Sequence, residues 1–270
     1  MKLTQLATLV TFCAAALPSL GATPGPATAQ TTNATSATAP VSTPTQAALP
    51  TTAPATIVLR PFFGTYLVKY RGISAGTTEV ELTSQGNGRW EYQSRANARG
   101  MFRAFFSDEI TQTSWLDTGS GSIRPLKYRA DDGSKDTERD ITLDFDWNTG
   151  RATGVAEEKS VALSVEPGTQ DAMSLQLAVI EDLRHGRKPG AYLMVDKDRV
   201  KEYRYVYEGE ATVKTVLGEL PTIVYRAERS GSKRATRTWY APSLTFLPVR
   251  AERLREGKRE WLMEVQSLKQ

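Results

Sequence analysis

From Leu59 onward, apolar side chains recur at every second position, and this period of two constrains the fold more than any other feature of the chain. In the run 66–71 one face carries Tyr66, Val68 and Tyr70. In 89–96, Trp90, Tyr92, Ser94 and Ala96 alternate with Arg89, Glu91, Gln93 and Arg95. In 140–147, Ile141, Leu143, Phe145 and Trp147 oppose Asp140, Thr142, Asp144 and Asp146. Successive side chains of a strand point to opposite faces, so each run predicts a strand with one buried and one wet face. Asn87-Gly88, Asp132-Gly133 and Asn148-Thr149-Gly150 supply hairpin turns between them. Further strands are expected over 222–229, 235–241, 248–255 and 259–268.

One segment changes period. Between Gln170 and Arg184, the residues Ala172, Met173, Leu175, Leu177, Val179, Ile180 and Leu183 recur at helical spacing and cover a broad face. Asp171 or Thr169 can cap the start, Gly186 suits the stop and Pro189 forbids continuation. About twelve strands separated by tight turns and rarely by helices argue antiparallel pairing rather than a βαβ fold. The expected class is mainly β, a strongly curved antiparallel sheet or open β-barrel with one long helix.

The N-terminal part obeys different rules. Lys2 precedes an apolar stretch from Leu6 to Leu20, too short and too interrupted for a spanning helix, and Ala27-Thr28-Ala29 forms an A-x-A pattern. Residues 1–29 are therefore expected to be a signal peptide, and the protein periplasmic or secreted. Cys13, the one cysteine, lies inside that segment behind Phe12, where a lipid-attachment site would want a small residue. The mature chain would then hold no cysteine, which excludes disulfides, cysteine zinc sites and thiol catalysis. Residues 30–58 are dominated by Ala, Thr, Pro and Ser with no charge and no aromatic, a composition that cannot bury enough surface to fold, so a disordered tether is expected. Residues 59–270 are left as one β-rich domain.

Ordered motifs along that domain resemble a known family. They are Tyr66-x-Val68-Lys69-Tyr70-x-Gly72-Ile73-x-x-Gly76, Pro125-Leu126-x-Tyr128, Phe145-Asp146-Trp147-x-x-Gly150, Gln170-Asp171-x-x-Ser174, and Trp239-Tyr240 followed by Leu247-Pro248-Val249-Arg250. In order and spacing the chain is similar to the uncharacterised bacterial family called domain of unknown function 3108. The resemblance covers 62–268 and implies an exported, β-rich envelope protein; it brings no reaction, ligand or catalytic residue. A looser likeness, at the level of fold alone, is to curved-sheet lipoprotein carriers and sorting factors of the periplasm.

Candidate chemistry is sparse. His185 is the one histidine, placed at a helix end among basic neighbours, so histidine metal pairs are excluded and nucleophile activation has little support. Asp131, Asp132, Asp136, Asp140, Asp144 and Asp146 offer oxygen ligands for calcium or paired acids for a glycosidase, but alternate acids on a strand are ordinarily a solvated face. No catalytic residue, metal or cofactor is expected. Lysine and arginine total 34 against 30 acids, a net of +4 without a basic run interleaved with aromatics, so nucleic acid is not an expected partner.

Four features point to binding. Met101, Phe102, Phe105 and Phe106 follow Gly100 as an apolar lip or lid. Tyr203, Tyr205 and Tyr207 share a strand face that either lines a groove or belongs to the core, and Asp171 stands at the mouth of the apolar helix, as a cap or a buried acid with an arginine partner. The basic residues between 225 and 260, among them Arg250, Arg253, Arg255, Lys258 and Arg259, suggest a face for anionic lipid headgroups or lipopolysaccharide phosphate. The expectation is a non-enzymatic binder or carrier of an apolar or lipid-like ligand. The alternatives are an envelope protein-interaction module or a carboxylate-dependent glycan hydrolase.

Overall fold

The computed structural model describes residues 57, 59–104, 109–134 and 136–270. The expected signal peptide and tether (apart from Ile57), and likewise Phe105 and Phe106, lie outside the described residues. Fourteen strands form one sheet. The first eight are β1 Phe62–Tyr70, β2 Ile73–Gly86, β3 Arg89–Ala98, β4 Ile110–Asp117, β5 Arg124–Asp131, β6 Ile141–Asp146, β7 Arg151–Ala156 and β8 Lys159–Ser164. A helix, α1 Ser174–Arg184, follows. The last six are β9 Ala191–Asp196, β10 Arg199–Thr215, β11 Gly218–Glu228, β12 Arg234–Ala241, β13 Leu247–Arg255 and β14 Lys258–Lys269.

Each strand pairs antiparallel with its sequence neighbour, and β1 pairs with β14, Tyr66 opposite Val265. The chain thus forms a meander bent almost into a ring, and its two free edges are β8 and β9. The sheet is open there. Gln170 covers part of the β9 edge: its N–H donates to Leu193 O at 2.8 Å, and its C=O accepts from Val195 N at 2.9 Å. Register shifts at 65–66, 84–86, 115–116, 207–209, 239–240 and 253–254 are bulges that bend the ladders. At Gly154, φ is +151° and a Cβ would stand 2.0 Å from Thr142 O, so β6 and β7 approach closely only because no side chain intervenes.

The period-two runs become β1, β3 and β6 as predicted, with Tyr66, Val68, Tyr92, Leu143 and Phe145 buried. Asn87 and Gly88 both take positive φ, the requirement of a type I′ hairpin. Asp132-Gly133 does not make a tight hairpin; it opens the longer connection to Ile141, within which Asp140 lies outside β6.

The helix begins later than its period suggests, at Ser174. Its stop is a Schellman arrangement: Arg187 N donates to Asp182 O at 2.8 Å, Gly186 N donates to Leu183 O at 3.0 Å, and Gly186 has φ +68°. Leu175, Leu177, Val179, Ile180 and Leu183 are all buried, in one core with Tyr66, Tyr92, Leu143 and Tyr203 from strands all round the sheet. A helix that is apolar over most of its circumference belongs in an interior, and each such side chain contributes about 1.5–3 kcal/mol by burial.

The turns at 71–72, 157–158, 197–198, 229–233 and 256–257 gather at one end of the strands, called the upper end below. Those at 87–88, 118–123, 147–150 and 216–217 gather at the lower end. α1 packs toward the lower end, where Ala178, Glu181 and Asp182 line a cleft with Gly121 and Ile123. A second, smaller core of Val68, Ala75, Phe102 and Trp261 closes the upper end.

Candidate binding site

At the upper end, residues Gly100–Ala104 form a 3-10 turn against β2. With three residues per turn, consecutive side chains point about 120° apart. Phe102 points inward, edge-on to Tyr70 with ring centroids 6.2 Å apart, and Tyr70 in turn lies 4.4 Å from Trp261. Met101 points outward and is 67% exposed; Ile73, which opens β2, is 57% exposed. Two large apolar groups thus face solvent at the end of the sheet where Phe102 and Trp261 are buried and Tyr70 is half-buried.

The basic residues of β10–β14 do not share one face, because alternation along the strands divides them. Arg250 and Arg259 stand outside, and both meet carboxylates: Arg250 Nη2 lies 2.8 Å from Glu264 Oε1, and Arg259 Nη1 lies 2.9 Å from Glu252 Oε1. Lys69 joins Glu264 at 3.0 Å. Arg226 and Arg237 share Glu208 on the same outer face. The expected docking face of Arg250, Arg253, Arg255, Lys258 and Arg259 is therefore split, and its outer members are already neutralised by neighbours.

The inner members are placed differently. Arg253 lies opposite Thr236, and Arg234 lies opposite Arg255. Arg255 in turn faces Lys258 across the last hairpin. Arg229 follows Glu228, whose register partner on β12 is Ala235, so it stands beside Arg234. Glu260 lies 4.0 Å from Arg255 Nη1 and 3.8 Å from Arg71 Nη2. Burial and the neighbouring Arg234 push the Arg253 guanidinium down to about 10. Burial and then Arg255 push Arg234 down as well. Asp196 also faces inward, but Lys201 Nζ at 2.7 Å and the Tyr203 hydroxyl at 2.9 Å both donate to its Oδ2.

The tyrosine stripe is divided along the strand. Tyr203 is fully buried and holds Asp196, whereas Tyr205 is buried edge-on to Tyr192. Tyr207 is 52% exposed and packs beside Tyr225. The first two are interior residues, so no groove lined by all three exists.

Asp171 is fully buried, and its partner is a serine rather than an arginine. Ser114 Oγ donates to Oδ2 at 2.6 Å, while Met173 N and Ser174 N donate to Oδ1 at 2.8 and 2.7 Å. Ser174 Oγ accepts from Asp171 N at 2.9 Å, which completes a reciprocal capping box. Burial outweighs these donors and pushes Asp171 up to about 6. The arrangement pins the start of α1 to the wall at β4.

Asp131, Asp132 and Asp140 hold carboxylate oxygens within 4.8 Å of one another. Arg139 Nε lies 3.0 Å from Asp132 Oδ2, and Ser134 N and Gly133 N donate to Asp132 and Asp131. An arginine and turn amides therefore already satisfy this cluster in part. Asp144 and Asp146 lie on the exposed face of β6, where Asp146 holds its own turn through Thr149 Oγ1 at 2.7 Å. His185, at the helix C-cap, has Nδ1 3.0 Å from Glu181 O.

Sequence reasoning passed over Ile73, Arg71 and the Lys201–Asp196 pair. A signal existed for the first two, since they flank the Gly72 turn next to a strand end rich in aromatics.

Among the described residues these features define an open, barrel-like antiparallel sheet with one α-helix packed in its core and exposed Ile73 and Met101 at one end. The chain belongs to the family described as protein of unknown function (DUF3108), whose profile matches residues 65–258. None of the curated proteins matches it. Among solved structures it is similar to a beta-barrel-like protein of domain of unknown function DUF1849 from Brucella abortus, at 15% identity and a TM-score of 0.53, over 77% of this chain and 97% of that one. It is also similar to the MucA/MucB complex of Pseudomonas aeruginosa, at 14% identity and a TM-score of 0.37, over 77% and 51% of the two chains. A third likeness is to a putative exported protein with a YmcC-like fold from Bacteroides fragilis, at 10% identity and a TM-score of 0.36, over 77% and 95%. At these identities the first likeness speaks to fold alone. Among the described residues, no helix is long and apolar enough to cross a membrane.

Proposed function

We propose that this protein is a non-enzymatic binder of the cell envelope that holds an apolar or lipid-like ligand at the upper end of its sheet. The supporting observation is the pair Ile73 and Met101, both more than half exposed at the end of the sheet where Phe102, Tyr70 and Trp261 pack together. Neighbouring apolar groups left in water can mark a surface that a ligand covers. Because α1 and its core fill the space inside the strands toward the lower end, the ligand lies along the lip. Phe105 and Phe106 extend the same apolar run in sequence and lie outside the described residues. Asp171, Tyr203 and Tyr205 support it as architecture, and Tyr207 is left to the surface. Export to the periplasm, with the tether as a spacer, completes the proposal. Native mass spectrometry of the protein purified from its own envelope tests it: an added mass lost on organic extraction supports it, and an empty protein that takes up no added lipid overturns it.

One observation favours a second reading. β8 ends the sheet, pairing with β7 alone, and Lys159, Ser160, Ala162 and Ser164 along it are exposed while Val161 is buried. An unpaired edge is a template for strand addition by a partner protein. Crosslinking in intact cells from a photoreactive residue at 162 would capture a defined partner under this reading and none under the first.

A further inference from the structure

At the lower end, away from the lip, a cleft of about 390 Å³ opens between α1, β9 and the connection from β4 to β5. Its apolar wall includes Ile57, Ile123, Ala178 and Leu193, and its polar wall is built by Gln170, Glu181, Asp182, Arg187 and Tyr192. Mostly apolar clefts of roughly 300–1,000 Å³ with a few placed polar groups are the usual form of a small-ligand site. Most of the polar groups here are already engaged. Asp182 Oδ1 accepts from Arg187 Nε at 2.8 Å, and its Oδ2 accepts from the Tyr192 hydroxyl. The Gln170 amide donates to Ile123 O and to Gly168 O, each at 3.0 Å. Glu181 Oε2 meets Arg184 Nη1 at 3.1 Å.

Two acceptors are left over. Gln170 Oε1 and Glu181 Oε1 are buried without a hydrogen-bond donor, on residues only 3% and 2% exposed. His185 Nδ1 stands 3.3 Å from Glu181 Oε1, but the hydrogen bond it makes is to Glu181 O at 3.0 Å. A buried acceptor left without a donor costs free energy, so a ligand that donates to both oxygens is favoured. The terminal torsions of Glu and Gln are broad, so a modest rotation turns either oxygen to the cleft. Arg184 and Arg187 balance the two carboxylates, so the cleft lacks donors rather than charge. Among the described residues, the buried lining atoms left unmet are acceptors alone. A hydroxyl or an amide would bring an acceptor of its own, whereas an ammonium brings three donors and none. Donation from a charged group to a carboxylate is also the stronger kind.

We propose that this cleft binds a primary ammonium carried on an aliphatic stem, the ammonium donating to Glu181 and Gln170 and the stem lying along Ile123, Ala178 and Leu193. A free alkylamine and a lysine side chain of a partner peptide present this same chemistry. The site does not depend on the apolar lip, which lies at the other end of the sheet, so either can fail while the other stands.

n-Butylammonium chloride is the probe, titrated into the full chain and followed by the NMR shifts of backbone amides, against sodium chloride of equal concentration. Saturable shifts are expected around the cleft, with affinity weakened about tenfold in E181Q, which keeps the shape of the side chain but loses its charge. A178F fills the cleft from half-buried Ala178 without altering a polar group, and should abolish binding. E256Q, at the upper end and paired there with Lys233, should bind as the wild type does. Circular dichroism checks the fold of each variant, and if E181Q unfolds, A178F decides. In parallel, acetyl-Gly-Lys-Gly-amide reports whether the ammonium sits on a peptide: tighter binding than butylammonium names a protein partner, and weaker binding names a small amine. n-Butanol has the same stem and should bind at least about tenfold more weakly. The site is overturned if no saturable shift appears, if A178F still binds, if E256Q loses as much as E181Q, or if butanol binds equally well.

Discussion

Arg234 and Arg255 stand directly opposite one another on β12 and β13, and both point into the upper end of the sheet. A cross-strand pair of like charges works against the fold.

Removing either charge is therefore expected to stabilise the ligand-free protein by about 0.2–1 kcal/mol. Urea denaturation at low salt measures it. Added sodium chloride should raise the stability of the wild type more than that of R255Q, because screening relieves a repulsion that the variant lacks. The outer-face variant R237Q should go the other way, since it strips a partner from Glu208 and Glu252. A destabilised R255Q would mean that this arginine is held by contacts stronger than the repulsion.

Asp171 predicts a pH dependence of opposite sense to that of an ordinary salt-bridged acid. Its folded value of about 6 lies above its ordinary 3.8, so between these values the folded state binds the extra proton. Stability from this group is then fully present below about pH 4 and is lost as pH rises through 6, on the order of 3 kcal/mol in all. Asp171→Asn keeps an acceptor for the amides of Met173 and Ser174 and cannot ionise. The stability gap between wild type and D171N should therefore shift by that amount from pH 4 to pH 7, measured as urea midpoints at each pH. A flat gap would show that the three donors fully compensate the buried charge.

The plug role of α1 makes a separate prediction. Leu177 is buried at 2% exposure in the core, and Leu177→Ala should cost about 2–5 kcal/mol by lost burial and the cavity left behind. Thermal denaturation followed in the near ultraviolet reads the loss. A cost below 1 kcal/mol would show that the helix is not essential to the packing of the sheet around it.

Met101→Asp tests the lip without touching the core. Met101 is exposed, so its replacement should move stability by no more than about 0.5 kcal/mol. Binding of an apolar ligand should fall sharply, because a carboxylate is carried to where the apolar part lies. Fluorescent-lipid titration of M101D and of Ile73→Asp checks this, and unchanged binding in both would remove the lip from the account.

Much of this fold was legible beforehand because backbone geometry writes itself into spacing. The period of two around Tyr92 and Leu143, and the helical spacing from Leu175 to Leu183, follow from which way successive Cβ atoms point. Pairing partners are not written that way. Nothing in the runs around Tyr66 and Val265 says that the first and last strands meet, since that closure is set by the bend accumulated at many bulges. The basic cluster shows the same limit. Arg250 and Arg253 are three apart and so fall on opposite faces, which strand parity could have shown. That Arg229 and Arg234 join Arg255 needed the registers of two hairpins. Asp171 was recognised as a helix cap, but its second partner, Ser114, is brought to it by tertiary packing alone.

Native mass spectrometry of the mature protein, purified in a mild detergent from its own envelope, tests the central claim most directly. The account predicts an added mass that organic extraction removes and that is missing from M101D. A clean apo mass, with no uptake of added lipid, would contradict it and leave the open edge of β8 as the place to look for a partner.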